Sequence, residues 1–294
     1  MARPPLSGYA RRAGAAARRR LRARIGPAPD PLATPPGAAN ASAAAIADPQ
    51  LWPLRELYEG GGDLDPIAYG TVRDFADSTE TMLGLASASA DMKSAQRCWM
   101  VKAVLASVPR GGRLVEIGAG EPLVAGLLSR LGYEVIVVDP YDGSGNGPRE
   151  YSRFKAAYPD LRFVRDQFPP EEGLDGAFDC VYSISVLEHV PLEAIDGVIA
   201  GAAGLLAERG GCSIHAVDHV LAGWGSDTHR AGIERIVAAS GLDGEELART
   251  ISSMELDPET YLVSAEAHNV WRGAVPYDSY PMRRIGSVEV FRRY

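Results

Sequence analysis

Between residues 113 and 217 short apolar runs alternate with longer stretches whose apolar positions recur at helical spacing. The runs at 113–117, 134–138, 161–165, 178–183 and 211–217 read as buried strands, and 122–131, 150–158 and 191–208 read as amphipathic helices. Strands that are apolar almost throughout are covered on both faces. Strict alternation with helices therefore predicts an α/β fold, a doubly wound parallel sheet with right-handed crossovers. In such sheets ligands bind beyond the carboxyl ends of the strands.

The flanks follow other patterns. From 51 to 110 the spacing is helical, with a firm helix over 91–107 in which Ala95, Cys98, Val101, Val104 and Leu105 share a face. This segment is expected to form an N-terminal helical cap, ended by Pro109-Arg110-Gly111-Gly112. After 217, helices are predicted over 228–240 and 244–252, then strands at 260–264 and 284–291. The connection between those two strands is short, so the last is expected to run antiparallel.

Composition adds an N-terminal asymmetry. Residues 1–29 carry eight arginines and no acid, whereas the whole chain has a formal charge of −8. The body is thus a poor surface for nucleic acid, and any contact with a polyanion would pass through the arm. Three readings of the arm stand side by side: a solvated disordered tail, a leader resembling an organelle transit peptide, and a basic helix making peripheral contact with an anionic membrane. Residues 27–47, dense in Pro and Ala, read as a linker. The domain expectation is therefore an arm and linker over 1–50, a cap over 51–110 and a ligand-binding domain over 111–294. Cys98, Cys180 and Cys212 are few, widely spaced and set in apolar segments, as reduced core thiols of a cytoplasmic protein would be. No apolar run is long enough to span a bilayer.

Chemistry concentrates where the first strand ends, at Glu116-Ile117-Gly118-Ala119-Gly120-Glu121-Pro122. Two glycines two residues apart allow a tight turn and close approach of backbone to a ligand, and Pro122 suits the first turn of a helix. A dinucleotide fingerprint would need a third glycine where Leu123 stands, which disfavours an NAD-dependent oxidoreductase. The acid two residues before the first glycine instead resembles the E-x-G-x-G pattern of class I S-adenosylmethionine-dependent methyltransferases. Val137-Val138-Asp139, Asp166 with Gln167, and the segment Phe178 to Val190 with its Leu187-Glu188-His189 ending follow in register with that family.

The resemblance implies a Rossmann-like sheet of order 3-2-1-4-5-7-6 and a cofactor site for S-adenosylmethionine. Gly118, Ala119 and Gly120 would form its floor, Glu116 would take a ligand role, and Asp139 would accept the ribose hydroxyls, flanked by Pro140 and Tyr141. Asp166 and Gln167 would meet the adenine, and Ser183 would close the fourth-strand end. Asp179 is read as ordering the sheet and Glu188 as buttressing the rim. The methyl donor is already activated, so the protein must align the acceptor and, for a hydroxyl, remove a proton. Candidate bases are His219 and His215, with Asp218 as an orienting partner, and then His189; all three histidines are expected at or just beyond strand ends on the ligand side.

His215-x-x-Asp218-His219 also has metal-ligand residue types, but a segment leaving a strand need not converge, and no metal is assigned. The Asn/Asp-Pro-Pro-aromatic loop of nucleic-acid N-methyltransferases is replaced here by Ser183-Ile184-Ser185-Val186, which argues against a nucleic-acid substrate. The expected activity is methyl transfer to a small-molecule or glycan acceptor at oxygen. A non-catalytic nucleotide-binding protein docking through its arm is the rival alongside the NAD enzyme.

Overall fold

The computed structural model describes residues 48–76, 78–82, 85, 92–144, 147–206, 210–221, 225–260, 276, 278 and 284–294. In chain order the elements are α1 (Asp48–Tyr58), β1 (Ile67–Gly70), α2 (Val72–Ala76), α3 (Ser78–Thr81), α4 (Met92–Ser107), β2 (Arg113–Ile117), α5 (Leu123–Arg130) and β3 (Glu134–Val138). Then follow α6 (Tyr151–Ala157), β4 (Arg162–Val164), β5 (Cys180–Ile184), a 3-10 turn (Leu187–His189), α7 (Ile195–Leu206), β6 (Cys212–Val220), α8 (Ser226–Ala239), α9 (Gly244–Leu256) and β7 (Ile285–Arg293).

One seven-stranded sheet runs β1-β7-β6-β5-β2-β3-β4. β2 pairs in parallel with β3 and β5, β5 with β6, and β3 with β4, whereas β7 is antiparallel to both β6 and β1. This is the expected spatial order, with the antiparallel strand one in from the edge. Leu114, Tyr182, Cys180 and Ile214 face the core under α1, α4, α5 and α6, and Val115, Val181, Val217 and Val288 face the core under α7, α8 and α9. The apolar face predicted for α4 is buried as expected. Asp179 does order the sheet: its carboxylate accepts the Arg113 amide at 2.7 Å.

Two corrections concern the edges of the pattern. The segment expected to be a purely helical cap supplies the edge strand β1, where Ile67 pairs with Val290 and Gly70 with Ser287. Four residues are too few to show a period, and Val72 and Phe75 just beyond, three apart, fit a helix. The strand expected at 260–264 lies, after Thr260, outside the described residues, as do the arm and most of the linker. β6 also runs on to Val220, past the predicted end at 217. Its polar positions His215, Asp218 and His219 look like a loop by composition, but β6 pairs with β7 along its whole length and with β5 as far as Ala216. Among the described residues no helix is long and apolar enough to cross a membrane. The three cysteines are buried and form no disulfide among the described residues.

Candidate active site

The turn after β2 is built from both sides. Gly118 (φ 62°) and Gly120 (φ 59°) occupy the left-handed region that L side chains rarely adopt. The Gly118 amide donates to the Val138 carbonyl at 2.8 Å, tying the turn to β3. Asp139, at the end of β3 and 6 % exposed, accepts the Gly120 amide at 3.0 Å through Oδ2 and the Tyr141 amide at 2.8 Å through Oδ1. Its carboxyl is raised above the ordinary range by burial, an effect opposed by these two amides. The Tyr141 phenol donates to the Gly120 carbonyl at 2.9 Å, so both the donor and the acceptor of Gly120 are held.

Tyr141 does not offer its ring to a ligand. The ring is buried beneath the turn against Tyr151, Phe154 and Phe163, with centroids 5.8, 5.8 and 6.1 Å away.

Glu116 likewise turns inward. Helix α5 begins at Leu123 after Pro122, which provides no side-chain cap. Glu116 Oε2 supplies one from β2, accepting the Ala125 amide at 3.1 Å and the Tyr182 phenol at 3.1 Å. Burial outweighs these bonds and pushes the Glu116 carboxyl up to about 7. The residue that leads the sequence motif therefore fastens helix to sheet under the turn.

Gly118, Ala119, Gly120, Asp139 and Pro140 come together at the carboxyl ends of β2 and β3. All but Asp139 are partly exposed. Asp166 and Gln167 follow β4 on the neighbouring loop, exposed, with Asp166 Oδ1 accepting the Gln167 amide at 2.8 Å. This grouping fits an adenosine cofactor on its own geometry. A Cβ on Gly120 would meet nothing nearer than Pro148 Cδ at 3.8 Å, so the turn has an open side. Asp139 spends one amide bond on each oxygen and keeps acceptor capacity for hydroxyls. On the β5 side Val186 closes over Gly118, where a Cβ would lie 2.8 Å from its methyl groups.

The histidines are distributed differently from expectation. His215 lies within β6 and is fully buried; its Nδ1 is 2.9 Å from Ser183 Oγ, which is itself fully buried. His219 is 2 % exposed in the same strand, four positions on and on the same face. Burial drives both imidazoles down to about 4, so they are neutral near pH 7; His215 sits within the sheet, whereas His219 lies near the carboxyl end of β6, past its pairing with β5. Alternation puts Asp218 on the opposite face, away from both, which removes its orienting role toward them. There Asp218 Oδ1 accepts Ser185 Oγ at 2.8 Å and Gln96 Nε2 at 3.1 Å, and Ser185 also donates to Gln96 Oε1 at 2.6 Å. Ser185 has φ 51°, a strained turn immediately after β5.

His189 stands on the rim with half its side chain exposed, its Nε2 4.0 Å from Glu188 Oε1. A cleft of about 370 Å³ opens beside it, lined by Leu187, Glu188, Val190 and Leu192 after β5 and by Asp227, Thr228 and His229 at the start of α8. It thus lies beyond the carboxyl ends of β5 and β6. His229, which sequence spacing did not single out, lines this cleft and places Nδ1 2.7 Å from the Asp218 carbonyl. A carbonyl only accepts, so Nδ1 carries a proton in this bond, and Nε2 is the nitrogen left for proton exchange. Its signal in the sequence was its position at the head of the helix following β6, masked by two nearer histidines in the strand.

A family model described as a methyltransferase domain matches residues 95–248. Among solved structures, a TehB-like SAM-dependent methyltransferase from Corynebacterium glutamicum is 15% identical, covering 76% of this chain and 100% of that one, with a TM-score of 0.39. A Burkholderia thailandensis 1,6-didemethyltoxoflavin-N1-methyltransferase is 16% identical over 76% of this chain and 84% of its own, with a TM-score of 0.39. The glycopeptide N-methyltransferase MtfA, solved with S-adenosylmethionine, is 19% identical over 44% of this chain and 56% of its own, at a TM-score of 0.35. No curated protein matches. With the family model spanning more than half of the sequence, from α4 into α9, the chain belongs to the methyltransferase-domain family.

Proposed function

We propose that this protein transfers a methyl group from S-adenosylmethionine to a hydroxyl of a small-molecule or glycan acceptor held in the cleft between the Leu187–His189 turn and α8. Bound along the carboxyl edge, the cofactor supplies a methyl group already activated for displacement. Gly118, Ala119 and Gly120 bring backbone amides to it, Asp139 accepts its ribose hydroxyls, and Asp166 and Gln167 flank its base. The chain's remaining tasks are to seat the acceptor, exclude water and take a proton.

The observation that carries this reading is the His229 geometry. An imidazole whose Nδ1–H is fixed on the Asp218 carbonyl has Nε2 left to act as proton acceptor in a cleft of small-molecule size. The three histidines first considered are less suited: His215 and His219 are buried, and His189 stands half-exposed on the rim. The test is turnover on a panel of hydroxylated acceptors, followed by release of demethylated cofactor. The reading expects methyl ethers as products and loss of turnover, with cofactor binding kept, in His229→Asn, whose amide can still donate to the Asp218 carbonyl. Full turnover in that variant would remove His229 from the chemistry.

A further inference from the structure

The cleft contains one group that proton removal does not use. Glu188 lines it, yet its side chain is only 1 % exposed, and neither carboxylate oxygen has a hydrogen-bond partner among the described residues. Leaving a buried carboxylate without donors is costly, which favours the neutral form of Glu188. Burial raises its carboxyl well above the usual range, and the charge of Asp218 alongside adds to the effect.

The charges around Glu188 are unevenly matched. Asp218 lies on β6 beside it and Asp227 lines the same cleft from α8. On the cationic side, Lys93 of α4 acts on Glu188 only by weaker long-range attraction, and His189 lies 4.0 Å off in the direction of the rim. Among the described residues no Lys or Arg lines the cleft. Leu187, Val190 and Leu192 supply apolar wall for a carbon skeleton.

We infer that the cleft recognises an acceptor bearing a protonated amine, with Glu188 receiving the ammonium while a neighbouring hydroxyl meets His229. An ammonium brings up to three donors to a carboxylate that has none, and its charge is attracted by Asp218 and Asp227 as well. An anionic acceptor would instead face three acids. Binding is balanced by a proton: Glu188 ionises as the ammonium arrives, and one proton leaves to solvent. This rests on the proposed acceptor role of the cleft and extends it from hydroxylated molecules in general to amino alcohols.

The experiment uses the full chain with S-adenosylhomocysteine bound, titrated with ethanolamine and with ethylene glycol at matched ionic strength and read by thermal shift and by pH change in weak buffer. Ethanolamine is expected to bind at least tenfold more tightly than the diol and to release a proton. Glu188→Gln should bring the ratio close to one, as should Thr228→Lys, which sets a rival ammonium on the cleft wall and leaves Glu188 in place should the first variant not fold. Equal affinity of the two probes in the wild type, or a preference that survives in a folded Glu188→Gln, would overturn the inference. Failure to bind S-adenosylhomocysteine at all would strike the cofactor reading instead, so the two failures are distinguishable.

Discussion

The Gly120 amide donates to Asp139 Oδ2 at 3.0 Å, joining the turn after β2 to the end of β3. The same carboxylate is the group proposed to hold the cofactor's ribose, so one side chain both shapes the turn and serves the ligand. Asp139→Ala is expected to weaken S-adenosylhomocysteine binding by about 10- to 100-fold, since hydrogen bonds to a charged group contribute about 1.5–3 kcal/mol. Asp139→Asn should fall between variant and wild type. Calorimetry on both gives the comparison, and unchanged affinity in Asp139→Ala would remove the ribose assignment.

The two glycines differ in what surrounds them. Alanine at Gly120 meets open space and costs only its left-handed backbone, about 1–2 kcal/mol. Alanine at Gly118 carries the same backbone cost and also drives a methyl group into Val186. Urea unfolding should therefore show Gly118→Ala as the more destabilising, and Val186→Ala should recover part of its loss but none of that of Gly120→Ala.

Acid stability has opposing contributions. His215 is held near 4 in the folded chain against an ordinary value near 6.5, so the unfolded chain binds the extra proton between those values. The stability this histidine contributes is full above about 6.5 and is lost as pH falls toward 4, by up to about 3 kcal/mol. Glu116, raised to about 7, acts in the opposite sense: its contribution is present below about 4.5 and is lost as pH rises to 7. The wild-type profile mixes the two. The stability of His215→Gln relative to wild type should rise as pH is lowered from 7.5 to 4.5, whereas Glu116→Gln should gain relative to wild type as pH is raised over the same range. A pH-independent difference in either case would contradict the assignment.

The edge strand gives a fourth prediction. β1 covers β7 through pairing from Ile67 to Gly70, and Arg293 at the far end of β7 reaches back to Asp63. Deleting residues 1–70 bares the whole edge of a long strand, and unpaired edges recruit other chains. That deletion is expected to aggregate under conditions in which the full chain stays monodisperse by light scattering.

The central strands were legible because they are covered on both faces and read as unbroken apolar runs, and because the two glycines announce a turn no other residues would make as easily. β1 was not legible, since its place in the sheet is decided by the free edge of β7 some 220 residues away. The reach of β6 to Val220 was obscured for a related reason: polar residues in a strand extended by its β7 partner mimic a loop. At the site, residue types pointed correctly to Gly118, Gly120 and Asp139 as one group. They could not show that Glu116 and Tyr141 turn inward, because strand-end acids and aromatics have the same spelling whether they face a ligand or a core. His229 depended on a tertiary contact, the carbonyl of Asp218 on the preceding strand, that no local spacing encodes.

Titration of the folded full-length chain with S-adenosylhomocysteine in a calorimeter tests the central claim most directly. One site per chain, weakened in Asp139→Ala, is the predicted result. Absence of binding by the folded wild-type protein would contradict the cofactor site at the turn between β2 and α5, and with it the proposed methyl transfer.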